Sequence, residues 1–137
     1  MEESLKLVLE AFTMNEVGSA FGLEQVEAHF GCTLPQSYKS FMMKCDGGEG
    51  FVGEQYLILW KAGELVQFNA EYEVSKYAPS LLLFGSNGGG EAFAFDTRDK
   101  NLPIVMVPFI GMSLEETVIV SESFDGFLLR IADGEFL

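Results

Sequence analysis

Apolar residues recur at helical spacing in four stretches of this chain, and at a spacing of two or in unbroken runs in several others. In AFGLEQVEAHF, residues 20–30, Leu23, Val26 and Phe30 share one helical face while Glu24 and Glu27 lie on another. Ser19 stands where an N-cap accepts the first free amides, and Gly31 supplies the stop. TLPQSYKSFMMKCDGG carries Pro35 in its first turn and Gly47-Gly48 past its end, with Tyr38, Phe41, Met42 and Cys45 as one apolar stripe. AGELVQFNAEYEV reads as a helix with Leu65, Phe68 and Asn69 at helical spacing and Glu64, Glu71 and Glu73 flanking them. FDGFLLRIADG, capped by Ser121 or Ser123, repeats Phe124, Phe127, Leu128 and Ile131 in the same way. The opening MEESLKLVLEAF can form a short helix, but residues 13–18 break any continuation, so residues 1–18 are expected to be a peripheral segment and 19–137 a single domain.

Between the helices lie strand signals. EQYLILW places Tyr56, Ile58 and Trp60 on one face and Leu57 and Leu59 on the other, and two apolar faces predict an inner strand. Trp60, the last residue of that strand, is expected to be a core anchor. LLLF enters a glycine cluster and EAFAFD leaves it, with Asn87-Gly88 expected to form a tight hairpin turn. The polar run Asp96 to Asn101 is another turn, followed by PIVMVPF and a short strand in TVIVSES. Connections this short do not allow parallel crossovers. The pattern therefore predicts an α+β domain, a mainly antiparallel twisted sheet of about four to six strands with about four helices packed around it.

Charge changes the picture most. Eight basic residues against 21 acidic ones give a formal net charge of −13, which repels nucleic acid and anionic lipid surfaces. Asp46, Glu49, Glu54, Glu64, Glu71 and Glu73 are opposed by Lys61 alone, and Glu115, Glu116, Glu122, Asp125, Asp133 and Glu135 by Arg130 alone. Either cluster would steer a basic protein partner. No apolar run approaches the length of a membrane span, and the N-terminus carries acids where a signal peptide needs positive charge, so a cytoplasmic chain is expected. Cys32 and Cys45 are too few and too far apart for a redox pair or a zinc cage and are expected to be reduced packing residues.

Little in the chain points to catalysis. From Gly85 to Gly90 the spacing is that of half a phosphate-binding loop, but Glu91 and Ala92 occupy the positions where Lys and Ser or Thr are required. His29, the one histidine, lies on a Glu-rich helix and is expected to be solvated. Glu91, Asp96 and Asp99 could approach one another around the hairpin, yet they lack the ligand spacing of a calcium loop. No catalytic residue, metal site or cofactor is expected.

In combination, Leu34-Pro35-x-x-Tyr38, Asp46-Gly47-Gly48, Trp60 and Phe84-Gly85-x-x-Gly88-Gly89-Gly90 resemble the SUKH superfamily, in order and spacing from Ser19 to Ile131. The resemblance implies a compact domain without catalytic machinery. Members commonly serve in bacteria as immunity proteins that neutralise a delivered toxin, and related domains occur in fungal regulators of cell-wall assembly and killer-toxin resistance. The acidic charge of this chain adds that such a toxin would present a basic surface, as a nuclease does. Asp46, Glu49, Glu54, Glu64, Glu71, Tyr72 and Glu73 form the candidate partner face. The alternative is a regulatory or small-ligand module using a cleft near Trp60, Gly88, Gly89 and Glu91.

Overall fold

The computed structural model describes residues 3–134. Seven strands form one sheet in sequence order, each antiparallel to its neighbours: β1 (Phe12–Met14), β2 (Gly48–Val52), β3 (Gln55–Leu59), β4 (Leu81–Ser86), β5 (Glu91–Asp96), β6 (Ile104–Pro108) and β7 (Val118–Ser121). Among the described residues six α-helices accompany it: α1 (Glu3–Val8), α2 (Ala20–Phe30), α3 (Gln36–Lys44), α4 (Leu65–Glu71), α5 (Val74–Tyr77) and α6 (Phe124–Asp133). The α+β class and the antiparallel sheet agree with expectation, whereas the strand and helix counts exceed it.

The two extra strands have a common origin. β2 reads GEGFV, and its glycines hide the alternation that the structure shows, with Gly48, Gly50 and Val52 buried and Glu49 and Phe51 exposed. β1 is three residues long, too short to register as a pattern, and pairs Phe12 with Gly50 and Met14 with Gly48. Through α1 and β1 the N-terminal segment buries Leu5, Leu9 and Phe12 in the core. The helix expected over residues 62–74 is divided: a 3-10 turn over Ala62–Glu64 runs into α4, and Glu73, at φ 53°, separates α4 from α5. An L residue in the left-handed region cannot continue a right-handed helix.

The helix ends follow their chemistry. Ser19 accepts the Gly22 amide and Ser123 accepts the Gly126 amide, while Ser121 receives the amide of Ser123. Gly31 and Gly134 close α2 and α6 at φ 67° and 68°. The glycine cluster is a four-residue loop rather than a two-residue turn, because Asn87 N–H donates to Glu91 O and the Asn87 side chain accepts the amides of Gly89 and Glu91. Its left-handed angles fall on Gly88 and Gly90. At Gly85 the reason for glycine is space, since a Cβ there would run into the Ile58 carbonyl of β3.

The core is aromatic. Tyr38 of α3 meets Phe84, Phe95 and Phe124 at centroid distances of 5.6, 5.0 and 5.2 Å, and Phe127 of α6 packs on Phe84 and Phe93. Edge and tilted contacts dominate, as ring quadrupoles favour. Burial and the nearby Asp46 charge push the Cys45 thiol up to about 11, and burial with Glu27 raises that of Cys32; both thiols are free. The Tyr38 hydroxyl is buried without a hydrogen-bond partner, and burial, then Asp46, raises its pKa.

A different polar group supports the sheet. Asn69 of α4 is buried, donates to the carbonyls of Leu65 and Leu83, and accepts the Leu83 amide. β3 pairs with β4 through Ile58, Leu59 and a last bond from Trp60 N–H to Phe84 O, so β3 leaves before Leu83. Asn69 completes the strand's bonding where the neighbouring strand has ended.

Two stability predictions follow from these groups. Asn69→Ala leaves both backbone groups of Leu83 unpaired and should cost about 2–4 kcal/mol in denaturant unfolding; a loss below about 0.5 kcal/mol contradicts the assignment. Tyr38→Phe should instead raise stability by about 0.5–1 kcal/mol, because an unpaired hydroxyl leaves the core. Marked destabilisation would reveal a hydroxyl partner.

Candidate functional site

The sheet is covered unevenly, and the open part defines the candidate site. Successive side chains of a strand alternate between faces. In β4 and β5 nearly every residue is buried on both faces, whereas β2 buries only alternate residues. The register pairs Phe51 with Tyr56 and Glu49 with Ile58, which puts all four on the outer face, and Thr13 of β1 extends it opposite Glu49. Phe51 is 53% exposed and meets Tyr56 edge-on at 5.1 Å. The Tyr56 hydroxyl donates to Glu49 Oε2 at 2.6 Å, and that bond raises the tyrosine pKa.

This platform ends against an aromatic wall. Trp60, 9% exposed and one residue past β3, packs edge-on against Phe68 at 5.0 Å and stacks on Tyr72 at 6.1 Å. Tyr72 continues to Phe109, 4.6 Å away, beyond the end of β6. Between platform and wall lies a depression lined by Thr13, Glu49, Ile58, Trp60, Lys61 and Glu64, among others. The arrangement can receive an apolar or cationic group: rings supply contact area and a negative π-face, and carboxylates rim them.

Of the expected partner residues, Glu49 and Glu64 line the depression and Tyr72 joins the wall. Asp46 lies in the loop between α3 and β2, where its Oδ1 accepts the Ala62 amide at 2.9 Å and ties that loop to the turn before α4. Glu64 accepts the Lys61 amide, and Glu71 accepts from Gln67 within α4. Glu73 occupies the break between α4 and α5. Glu54 sits apart at the β2–β3 turn, next to the Gly53 that abuts Ala132 of α6. Several of these acids therefore hold local backbone or side-chain bonds.

The expected cleft residues distribute in the same way. Trp60 lines the depression. Gly88 lies over Tyr56 and Ile58, with space for a Cβ 3.5 Å from the Tyr56 ring, and so borders the platform from the β4 side. Gly89 is exposed, and Glu91 accepts from the Asn87 side chain within the loop. Sequence reasoning missed Phe51 and Phe109. Phe51 was masked by the glycines around it, although its place two residues after Glu49 and five before Tyr56 is a hairpin signature once a turn at Gly53-Glu54 is recognised.

Glu91, Asp96 and Asp99, which could have approached one another around the hairpin, are not brought together as a set. Glu91 and Asp96 stand at opposite ends of β5, roughly 16 Å apart along an extended strand. Asp96 accepts bidentately from Arg98 at 2.9 and 2.7 Å, and these bonds lower its pKa. Asp99 accepts the amide of Asn101. Among the described residues no three of His, Cys, Asp and Glu gather as a metal cage, and no helix is long and apolar enough to cross a membrane. His29 is exposed on α2 against the Phe30 ring.

Comparison with known families matches residues 22–130 to the SMI1 / KNR4 family (SUKH-1). No curated protein matches the sequence. The matched span runs from α2 into α6 and contains the Trp60 wall, the β2–β3 platform and the glycine loop. Covering most of the chain, it shows that this protein belongs to the SMI1 / KNR4 family (SUKH-1).

Proposed function

We propose that the protein is a non-catalytic immunity-type module that binds and neutralises a cognate delivered toxin with a basic surface, such as a nuclease, through the outer face of β1–β3. The observation that carries this reading is the pair of exposed Phe51 and half-buried Tyr56 beside the Trp60-Tyr72 wall, on a chain of net charge −13. Interfaces concentrate their energy in central aromatic residues and use the charged rim to steer encounter. A nuclease needs positive charge to hold its substrate, so an acidic face opposite it competes with nucleic acid for the same surface. Family membership is consistent with this role, and also with a cytoplasmic regulatory or small-ligand module of the cell-wall-assembly type. The depression at Trp60, with Lys61 between Glu49 and Glu64, favours that second reading if a small polar ligand rather than a protein occupies it.

The test takes a candidate toxin domain, chosen from those encoded beside the gene. Co-expression should restore growth to cells making that domain and yield a complex that copurifies. Continued toxicity with soluble, folded protein and no complex contradicts the pairing. Within the complex, Glu64→Lys, Glu71→Lys and Glu73→Lys together should slow association at low salt and lose most of their effect at high salt, where screening removes steering. Phe51→Ala with Tyr56→Ala should leave association nearly unchanged and speed dissociation, costing about 2–4 kcal/mol of affinity. Both positions are accessible on the outer face, so thermal unfolding separates a binding loss from a folding loss. Trp60→Ala is the poorer probe because Trp60 is nearly buried and its loss disturbs the core.

A further inference from the structure

β7 ends the sheet on the side away from β1, paired to β6 on one edge and, among the described residues, to no strand on the other. An unpaired strand edge presents a row of free amides and carbonyls, and proteins commonly guard it with Lys, Pro, a bulge or a covering loop. β7 carries neither Lys nor Pro. It reads Val118-Ile119-Val120-Ser121, β-branched over its first three residues, with Val118 48% and Ile119 64% exposed. The register passes from Ile104–Ser121 to Val105–Ile119, so the extra residue of a bulge is Val120 on β7, which is buried, and Val118 and Ile119 form the regular part of the edge.

Charge selects what fits there. Glu115 and Glu116 stand exposed just before β7, Glu122 just after it, and Asp125 lies in the first turn of α6. Between Lys100 and Arg130 the sequence contains no Lys, Arg or His. A second copy paired antiparallel would bring its Glu115 and Glu116 towards Glu122 of the first, like charges at both ends of a four-residue strand. An extended segment with basic ends meets carboxylates at both ends instead.

We propose that β7 is a strand-addition site for an extended segment of a protein partner, β-branched and apolar at its centre and flanked by Lys or Arg. Backbone bonds to the free edge supply the pairing, Val118 and Ile119 supply cross-strand contacts, and the flanking acids fix the register. The surface is separate from the β1–β3 face and does not depend on the reading of that face.

The test titrates the full chain into a fluorescent peptide, Lys-Lys-Val-Thr-Ile-Thr-Val-Lys-Lys, with backbone amide exchange followed in parallel. Saturable binding is expected, about tenfold weaker when Glu replaces the flanking Lys residues or Pro replaces the central Ile. Amide exchange should slow across residues 118–121 and stay unchanged in β2 and β3. Val118→Lys with Ile119→Lys should abolish binding while leaving the melting temperature within the range of surface substitutions. Absence of binding overturns the proposal. So does binding that the central Pro leaves unweakened, which would be charge attraction alone, and so does a concentration-dependent dimer dissolved by Ile119→Lys, which would place a second copy at the edge.

Discussion

One buried amide shapes this fold. Asn69 bonds to both backbone groups of Leu83, and so lets α4 take the place beside β4 that β3 vacates after Trp60. A buried strand edge without such a partner would carry two unpaired polar groups, each about as costly as a lost core contact. Meeting that need fixes where α4 and α5 pack, which is on β4. The outer side of β2 and β3 is left open. The candidate site is the remainder of the sheet after the helices have satisfied its centre.

The same constraint explains why the aromatic wall stands where it does. Trp60 is the last residue bonded to β4 before the chain turns towards α4, and Phe68 and Tyr72 on that helical segment pack against it from the other direction. Asp46 fixes the turn between them by accepting the Ala62 amide. An acid expected only to face a partner thus also braces the scaffold. Glu49 and Glu64 act similarly towards Tyr56 and the Lys61 amide. Each local bond is modest, as expected of pairs near the surface.

Much of this was legible in the sequence where the physics is local. Ser19, Ser123, Gly31 and Gly134 cap helices as their types require, and the stripe from Tyr38 to Cys45 is buried. What escaped reading depends on non-local geometry. β2 is rich in glycine because β1 crosses it closely; a Cβ at Gly48 or Gly50 would meet β1 backbone, and glycine dilutes the alternation that marks a strand. The break at Glu73 carries no Gly or Pro to announce it. Asn69 was recognised as lying on the Leu65 and Phe68 spacing, but its bonds to Leu83 require knowing where β3 ends. For the site, Trp60, Tyr72, Glu49 and Glu64 were named and are brought together, whereas Glu54 is set apart by the hairpin that carries it.

In the proposed function, a protein partner sits on the open outer face of β1–β3. Covalent footprinting of exposed aromatic side chains, with the protein free and bound to the partner it copurifies with, tests this most directly. Phe51, Tyr56 and Tyr72 should label in the free protein and be protected together in the complex, while Tyr77, also exposed but on α5, should label equally in both. Unchanged labelling of Phe51 and Tyr56 in a verified complex would contradict it and move the interface to another face of the molecule.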